Sequence, residues 1–241
     1  MNSNCAVLVP VADKIEVDTQ QALLELERRG YRVFRTRGCV QIDMVRSQMA
    51  TDFLSQGFEE TLWVDSDVGF FPNDVDRIRE HGLPVCSALY PRKGQSSFAV
   101  KLLPGTRKVT FGSGGGLLEV EHVATGFLHI RREVYRQIEE QQKLPMCNRS
   151  NSRGIIPYFL PLVVESGGEY SYLSEDYSFC ERIRRAGYKI MADTTVRLWH
   201  VGTHRFSWED ASLGITRHDE LTIEFEPDGT NVSRNVQQNL P

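Results

Sequence analysis

Long apolar runs are missing from this sequence. No stretch approaches the roughly 18 apolar residues that a membrane-spanning helix needs. The short run Cys5–Pro10 has no basic segment before it and meets Asp13 soon after, so it reads as a first β-strand and not as a signal peptide. Cysteine is sparse: five residues, at 5, 39, 86, 147 and 180, with no C-x-x-C pair. That spacing excludes a zinc ribbon or a dithiol redox motif and leads to the expectation of a reducing, cytoplasmic setting. A long basic run is also absent. Lys+Arg number 28 against 32 Asp+Glu, a formal charge of −4, so nucleic acid is not an expected partner. Internal repeats are lacking too. Asn148-Arg-Ser and Asn231-Val-Ser match the glycosylation tripeptide, a pattern common by chance and given no weight without a secretion signal.

What is present is a globular composition. With 40% hydrophobic and 25% charged residues over 241 positions, the chain can bury one large α/β core without disulfides. Its first half alternates strand and helix patterns. Strands are expected at Cys5–Val9, Tyr31–Arg35, Thr61–Val64 and Pro84–Leu89. Helices are expected at Val17–Arg29 (Val17, Ala22, Leu23 and Leu26 inward, Gly30 as stop), at Asp43–Gln56 (Met44, Val45, Met49, Phe53 and Leu54 inward) and from Pro72 or Asn73 to His81. This alternation implies a parallel sheet with helices on its faces. Further strands are expected at Phe98–Leu103, Val109–Phe111, Leu117–Val120 and Ala124–Ile130, as antiparallel additions. The helix Glu133–Gln142 precedes a long loop, 145–171. The helix Glu175–Ala186, capped by Ser174, leads to short strands at Lys189–Ala192 and Val196–Trp199. Clear periodicity ends after Phe206, and the tail from Glu226 is expected to be disordered.

Three features carry chemistry. In Leu62-Trp63-Val64-Asp65-Ser66-Asp67 an apolar strand runs into two carboxylates at i, i+2. Ligands of open α/β sheets bind beyond the carboxyl ends of strands, and hard oxygen ligands suit Mg²⁺ or Mn²⁺ bridging to substrate phosphates. A plain turn would also place Asp and Ser there. Ser174-Glu175-Asp176 opens a helix, where acidic residues serve the helix dipole in any case. Trp199-His200 ends a strand, where a structural histidine is the bland alternative. Each feature is weak alone; their order along the chain is informative.

That series resembles the GT-A glycosyltransferases, nearest to the inverting, family-2-like enzymes that build glycans from nucleotide sugars. The matching pieces are Val7-Leu-Val-Pro-Val11, Asp43-Met-Val-Arg46, Trp63-Val-Asp-Ser-Asp67, Ala88-Leu-Tyr-Pro91, Ala124-Thr-Gly-Phe-Leu128, Leu173-Ser-Glu-Asp-Tyr-Ser-Phe-Cys180 and Trp199-His200, over about residues 5 to 204. The resemblance implies an α/β fold of GT-A type: a Rossmann-like, mostly parallel central sheet flanked by helices, with smaller antiparallel acceptor-side strands. It implies one domain over 1–206, with a nucleotide-sugar half (1–95) and an acceptor half (96–206), and a C-terminal extension over 207–241. Asp67 and His200 would bind Mn²⁺ or Mg²⁺, with Asp65 reaching the metal through water or touching the donor ribose. Pro10, Val11, Ala12 and Asp13 at the first strand's end, with Ser66, would hold the nucleotide. Arg46 would reach the diphosphate or brace the aspartates; a surface charge paired with Asp43 is equally open. Lys93, in Tyr90-Pro-Arg-Lys93, would contact acceptor or diphosphate, and Gly126 would let backbone approach a ligand closely. Asp176, with Glu175 next, would be the general base, its carboxyl desolvated by Tyr172 and Tyr177. Tyr158 and Trp208 are candidates to stack on sugars.

The implied function is metal-dependent transfer of a sugar from a nucleoside-diphosphate sugar, UDP first and GDP next, to a glycan or other hydroxyl acceptor, with inversion. No second domain is evident, so loops must recognise the acceptor. A sugar-phosphate nucleotidyltransferase is the first rival, but Val9-Pro-Val-Ala-Asp13 lacks the glycine-rich basic loop that holds a triphosphate. A catalytically inactive nucleotide-sugar-binding module is the second; it would have lost one of Asp65, Asp67, Asp176 or His200, and all four are present. A two-carboxylate hydrolase would leave the strand-terminal histidine unexplained.

Overall fold

A computed structural model describes residues 2–38, 40–94, 97–150, 153–202, 204–207, 210, 220–225 and 231–235. A single 3₁₀ turn, Asn2–Asn4, leads into β1 (Cys5–Val11), α1 (Val17–Arg28), β2 (Arg32–Arg37), α2 (Ile42–Ser55) and β3 (Glu60–Val64). After β4 (Val68–Gly69) come α3 (Pro72–Glu80), β5 (Val85–Ser87), β6 (Val100–Leu102), β7 (Lys108–Gly112), β8 (Leu117–Val123) and β9 (Phe127–Arg131). The later part holds α4 (Arg132–Gln142), β10 (Leu162–Ser166), β11 (Glu169–Leu173), α5 (Glu175–Arg185) and β12 (Ile190–Asp193). Four short strands follow: β13 (Trp199–Val201), β14 (Arg205–Phe206), β15 (Glu220–Phe225) and β16 (Asn231–Asn235).

Eight strands form one sheet in the order β2-β1-β3-β9-β5-β12-β8-β6. β1 pairs parallel with β2 and β3, and β5 with β12, whereas β9 lies antiparallel between β3 and β5. The architecture is α/β, a mixed central sheet flanked by helices, with smaller antiparallel sheets at its margins. Strand β1 shows why the sheet is covered on both faces. All seven of its residues are buried, and side chains alternate across a strand. Ala6 and Leu8 join Met49 and Phe53 of α2, Tyr135 of α4 and Phe179 of α5. Val7, Val9 and Val11 join Leu23 and Leu26 of α1 and Ile78 of α3. Pro10 lies past the last β1–β3 pair, Leu8↔Trp63, where β1 is paired on one side only.

Helix α1 turns Thr19, Ala22, Leu23 and Leu26 inward, but Val17 is exposed, and Gly30 ends the helix at φ +87°. In α2 the expected inward Met44 is exposed, while Arg46, Ser47 and Thr51 are buried. Part of that face therefore serves hydrogen bonds: Phe159 N donates to Ser47 Oγ and Ile156 N to Thr51 Oγ1.

The structure corrects three expectations and adds one strand. Segment 145–171 is not all loop, because β10 and β11 pair as a hairpin about Gly167 and Gly168, both at positive φ. The strand expected at Val196–Trp199 starts only at Trp199. Before it, Asp193 Oδ1 accepts from Thr195 N and Oγ1, and this side-chain-bonded turn replaces ladder pairing. Within the C-terminal extension, β15 pairs antiparallel with β7 and with β16, so part of the tail from Glu226 is strand; 226–230 and 236–241 lie outside the described residues. β4, unanticipated, pairs with β13, and a Cβ at Gly69 would lie 2.1 Å from the Trp199 indole nitrogen. Only glycine allows that approach. No helix among the described residues is long and apolar enough to cross a membrane.

Glu60, at the start of β3, shows how the sheet margin is held. Its Oε2 accepts from Arg79 Nε at 2.6 Å and lies 2.9 Å from the buried His129 Nε2. The His129 hydrogen bond, aided by Arg79 and opposed by burial, holds its pKa down to about 2. A depressed carboxyl stabilises the fold above its unfolded pKa and loses that contribution as pH falls through the folded one. Glu60→Gln is expected to cost about 1–2 kcal/mol at pH 7, allowing for partial exposure, and progressively less from pH 4.5 toward pH 2. Urea denaturation at pH 7 and pH 3 checks this; an equal loss at both would contradict the assignment.

Candidate active site

The residues singled out above meet at the carboxyl edge of β1 and β3. The β3 strand ends at Val64, and Val68 N donates to Asp65 O, closing a turn that turns both aspartates out of the sheet. Ser66 O accepts from Glu16 N, which ties the turn to the start of α1. Asp67 O accepts from Val201 N, which ties it to β13.

Asp65 and Asp67 enter different clusters. Asp65 Oδ1 accepts from Arg46 Nη2 at 2.8 Å. The same guanidinium lies 3.6 Å from Asp176 Oδ1 and 4.0 Å from Glu175 Oε1, at the start of α5. Arg46 is 2% exposed and sits 5.8 Å over the Trp63 ring. Burial disfavours its charge, but Asp65, Asp176 and Glu175 more than offset this and raise its pKa. It is thus no surface charge paired with Asp43. For Asp176 the balance reverses: burial, with the charges of Glu175 and Asp65, outweighs Arg46 and raises its pKa to about 6. Its Oδ1 is buried without a hydrogen-bond partner, as are Arg46 Nε and Nη1. Tyr172 does not supply that desolvation, being 74% exposed.

The second cluster holds Asp67, Lys93 and His200. Lys93 Nζ donates to Asp67 Oδ2 at 2.6 Å, and His200 Nε2 lies 3.5 Å from the same oxygen. Burial raises the Asp67 pKa, yet hydrogen bonds from His200 and Lys93 prevail and hold it at about 2. His200 Nδ1 faces Pro91 O at 3.2 Å, and a carbonyl can only accept. A protonated ring donates to Asp67 as well. A neutral ring keeps its proton at Nδ1 and turns the Nε2 lone pair toward the carboxylate, as two ligands face a shared cation. Among the described residues no three His, Cys, Asp or Glu side chains converge as ligands of one ion, so Asp65 does not complete a cage with Asp67 and His200.

Gly126 and Tyr90 stand between the clusters. Gly126 O accepts from Asp65 N, and its N–H donates to Tyr90 Oη at 3.1 Å. Tyr90 is buried, packs edge-on against His200 and stays neutral, its pKa driven far up by burial and by the charge of Asp65. Sequence reasoning missed that wall, since hydrogen bonding across 36 residues leaves no local pattern. At the end of β1, Pro10 and Val11 are buried whereas Ala12 and Asp13 are exposed. A cleft of about 600 Å³ is lined by Glu16, Val17, Asp18, Val201, Gly202, His204 and Arg205; none of Pro10–Asp13, Asp65, Ser66, Asp67, Asp176 and His200 lines it. Tyr158 is fully buried with its hydroxyl on Glu139, so it offers no face to a sugar, and Trp208 lies outside the described residues.

No protein-family model matches the chain, and no curated protein matches its sequence. Solved structures do. The crystal structure of A197 from STIV aligns over 97% of this chain and 95% of its own, at TM-score 0.53 and 15% identity, a likeness of fold alone. A glycosyltransferase involved in the glycosylation of the major capsid of PBCV-1 aligns over 57% of this chain and 64% of its own, at 14% identity and TM-score 0.34. The inositol-1-phosphate CTP transferase from T. maritima aligns over 83% and 91%, at 9% identity and TM-score 0.37. At those scores the last two carry no argument about this chain.

A Cβ on Gly126 would lie 2.2 Å from Tyr90 Oη and 2.9 Å from Asp65 Oδ2, and the buried tyrosine has nowhere to swing. Gly126→Ala is expected to lower stability by about 1–3 kcal/mol. Gly116→Ala, with no atom within 4 Å of its new methyl, is the control. Equal unfolding midpoints for the two variants would show that this wall yields without cost.

Proposed function

We propose that this chain is a glycosyltransferase that moves a sugar from a nucleoside-diphosphate sugar onto an acceptor hydroxyl with inversion, using Mn²⁺ or Mg²⁺. UDP is the first choice of donor nucleotide and GDP the second. The observation that carries the reading is Asp176 Oδ1: buried, without a hydrogen-bond partner, and 3.6 Å from an arginine that also binds Asp65. An acceptor-only carboxylate oxygen in that state can take a proton from a hydroxyl.

The Asp67–His200 pair fits a divalent ion. Two ligands about 2.1 Å from one ion stand roughly 3 Å apart, close to the 3.5 Å between Asp67 Oδ2 and His200 Nε2. The Lys93 ammonium, 2.6 Å from the same Oδ2, stands where a cation would and must move aside. When bound, the metal would neutralise the charge of the diphosphate leaving group. Asp65, held in place by Arg46, would reach it through water or contact the ribose. Pro10–Asp13 and Ser66 would contact the nucleotide at the carboxyl end of β1. Asp176, with Glu175 beside it, takes the proton of the acceptor hydroxyl. The acceptor oxygen bonds to the anomeric carbon as the bond to the diphosphate breaks.

A thermal-shift screen of UDP, GDP, CMP and dTDP, each with and without Mn²⁺, tests the donor site. One diphosphate is expected to stabilise the protein only with metal, by about 2.7 kcal/mol at a hundred times Kd. Asp67→Ala should remove that shift while leaving the fold intact; near-normal turnover in this variant would remove the metal from the mechanism. Release of pyrophosphate instead of a nucleoside diphosphate would identify a nucleotidyltransferase.

Asp176→Asn should leave donor binding nearly unchanged and stop transfer. Because the folded Asp176 pKa is raised, ionising it destabilises the fold as pH rises through about 6, so Asp176→Asn should also raise the melting temperature at pH 7. In the native chain, transfer should decline as pH falls through about 6. Product NMR showing a retained anomer, or loss of donor affinity in Asp176→Asn, would end the general-base assignment.

A further inference from the structure

The β10–β11 hairpin carries an exposed aromatic face that the fold does not use. Tyr170 and Tyr172 are each 74% exposed, with Val163 at 62%. Val163 is paired with Tyr172 and Glu165 with Tyr170, and alternation along a strand puts all four on one face. On the opposite face Leu173 is buried and Glu169 and Ser171 are exposed, so the hairpin packs at its base and projects beyond it. Both arms are fixed to α5. Leu162 N donates to Ser178 Oγ, Ser178 Oγ donates to Leu173 O, and Arg182 Nη2 donates to Leu160 O. The platform is therefore braced on the helix that carries Glu175 and Asp176, and Tyr172 lies four residues before Asp176.

We propose that this face binds a neutral glycan, the acceptor, by stacking sugar rings on Tyr170 and Tyr172. The inference rests on the glycosyltransferase reading above. The strands favour this occupant over others. They carry Glu165 and Glu169 and no Lys or Arg, which disfavours an anionic lipid surface and an anionic acceptor alike. Two tyrosines at about 150–200 Å² each, with one valine, fall short of the ~800 Å² per partner of a standard protein interface. Tyrosine offers an apolar ring face together with a hydroxyl, and Glu165 adds an acceptor for sugar hydroxyls. Side chains at i and i+2 on a strand stand about 6.8 Å apart, room for adjacent rings of one chain to sit on successive tyrosines.

The test titrates cellotetraose, maltotetraose and mannotetraose against the full chain, following intrinsic fluorescence and saturation-transfer NMR. The UDP and GDP thermal shifts with Mn²⁺ are measured in parallel. At least one oligosaccharide is expected to bind saturably, and Tyr170→Ala/Tyr172→Ala to weaken it about tenfold or more. Tyr170→Trp/Tyr172→Trp should restore the affinity. Both positions are exposed, so the variants should fold. Nucleotide binding without binding of any tetrasaccharide would overturn the platform and leave the donor reading standing. Tetrasaccharide binding lost in the double variant, with no nucleotide shift, would uphold the platform and sink the transferase reading. Binding to phosphatidylserine vesicles, or a dimer that the double variant abolishes, would overturn the proposal in favour of those occupants.

Discussion

One buried guanidinium sets the conditions for everything at the carboxyl edge of the sheet. Three carboxylates around one point repel each other, and a desolvated arginine is costly without counter-charges. Arg46 and its partners Asp65, Glu175 and Asp176 answer both problems at once. The arrangement also dictates the character of α2. A helix that must deliver an arginine inward cannot turn a wholly apolar stripe to the core, and Ser47 and Thr51 fill the adjoining positions. Their hydroxyls hold Phe159 and Ile156, the approach to the β10–β11 hairpin. The cation at the centre and the route of the chain through Ile156 and Phe159 are thus consequences of one helix face.

The carboxylate pair at the end of β3 divides its labour. Around Arg46, burial of Asp176 and the neighbouring charges of Glu175 and Asp65 outweigh the one arginine, so Asp176 holds its proton more tightly. Asp67, two residues from Asp65, has two basic partners and holds its proton weakly. The buried Tyr90 ring and the bare backbone of Gly126 separate these environments. A short distance along one edge thus offers one carboxyl suited to accept a proton and another suited to stay ionised.

The parallel half was legible because buried strands such as Cys5–Val9 are continuously apolar and helix ends such as Gly30 are punctuated. The carboxylates of the candidate site stand out in the sequence because each sits where an element ends or begins, Asp65 and Asp67 after β3 and Glu175 and Asp176 at the start of α5. Arg46 was open between two readings, since one charge on a helix does not announce its face until the packing is known. Lys93 and Asp67 are 26 residues apart, and Tyr90 and Gly126 36, so only the fold unites them. Two-residue β4 is too short for any periodicity. The β10–β11 hairpin did leave a signal in Val163-Val164 and Tyr170-x-Tyr172 around two glycines, but its polar alternation reads like loop composition.

The position of β9 bears on how the chain can reach its native state. Strands β3 and β5 do not pair with each other; each pairs with β9, which begins at Phe127. During synthesis, β1, β3 and β5 emerge well before the strand that joins β3 to β5. Loop-closure entropy must be met before that pairing stabilises anything. The first 95 residues alone would present two open sheet edges, the kind that recruit foreign strands. The sheet is therefore laced across its midline, and the edge that gathers Asp65, Asp67 and Arg46 forms only when the sheet closes.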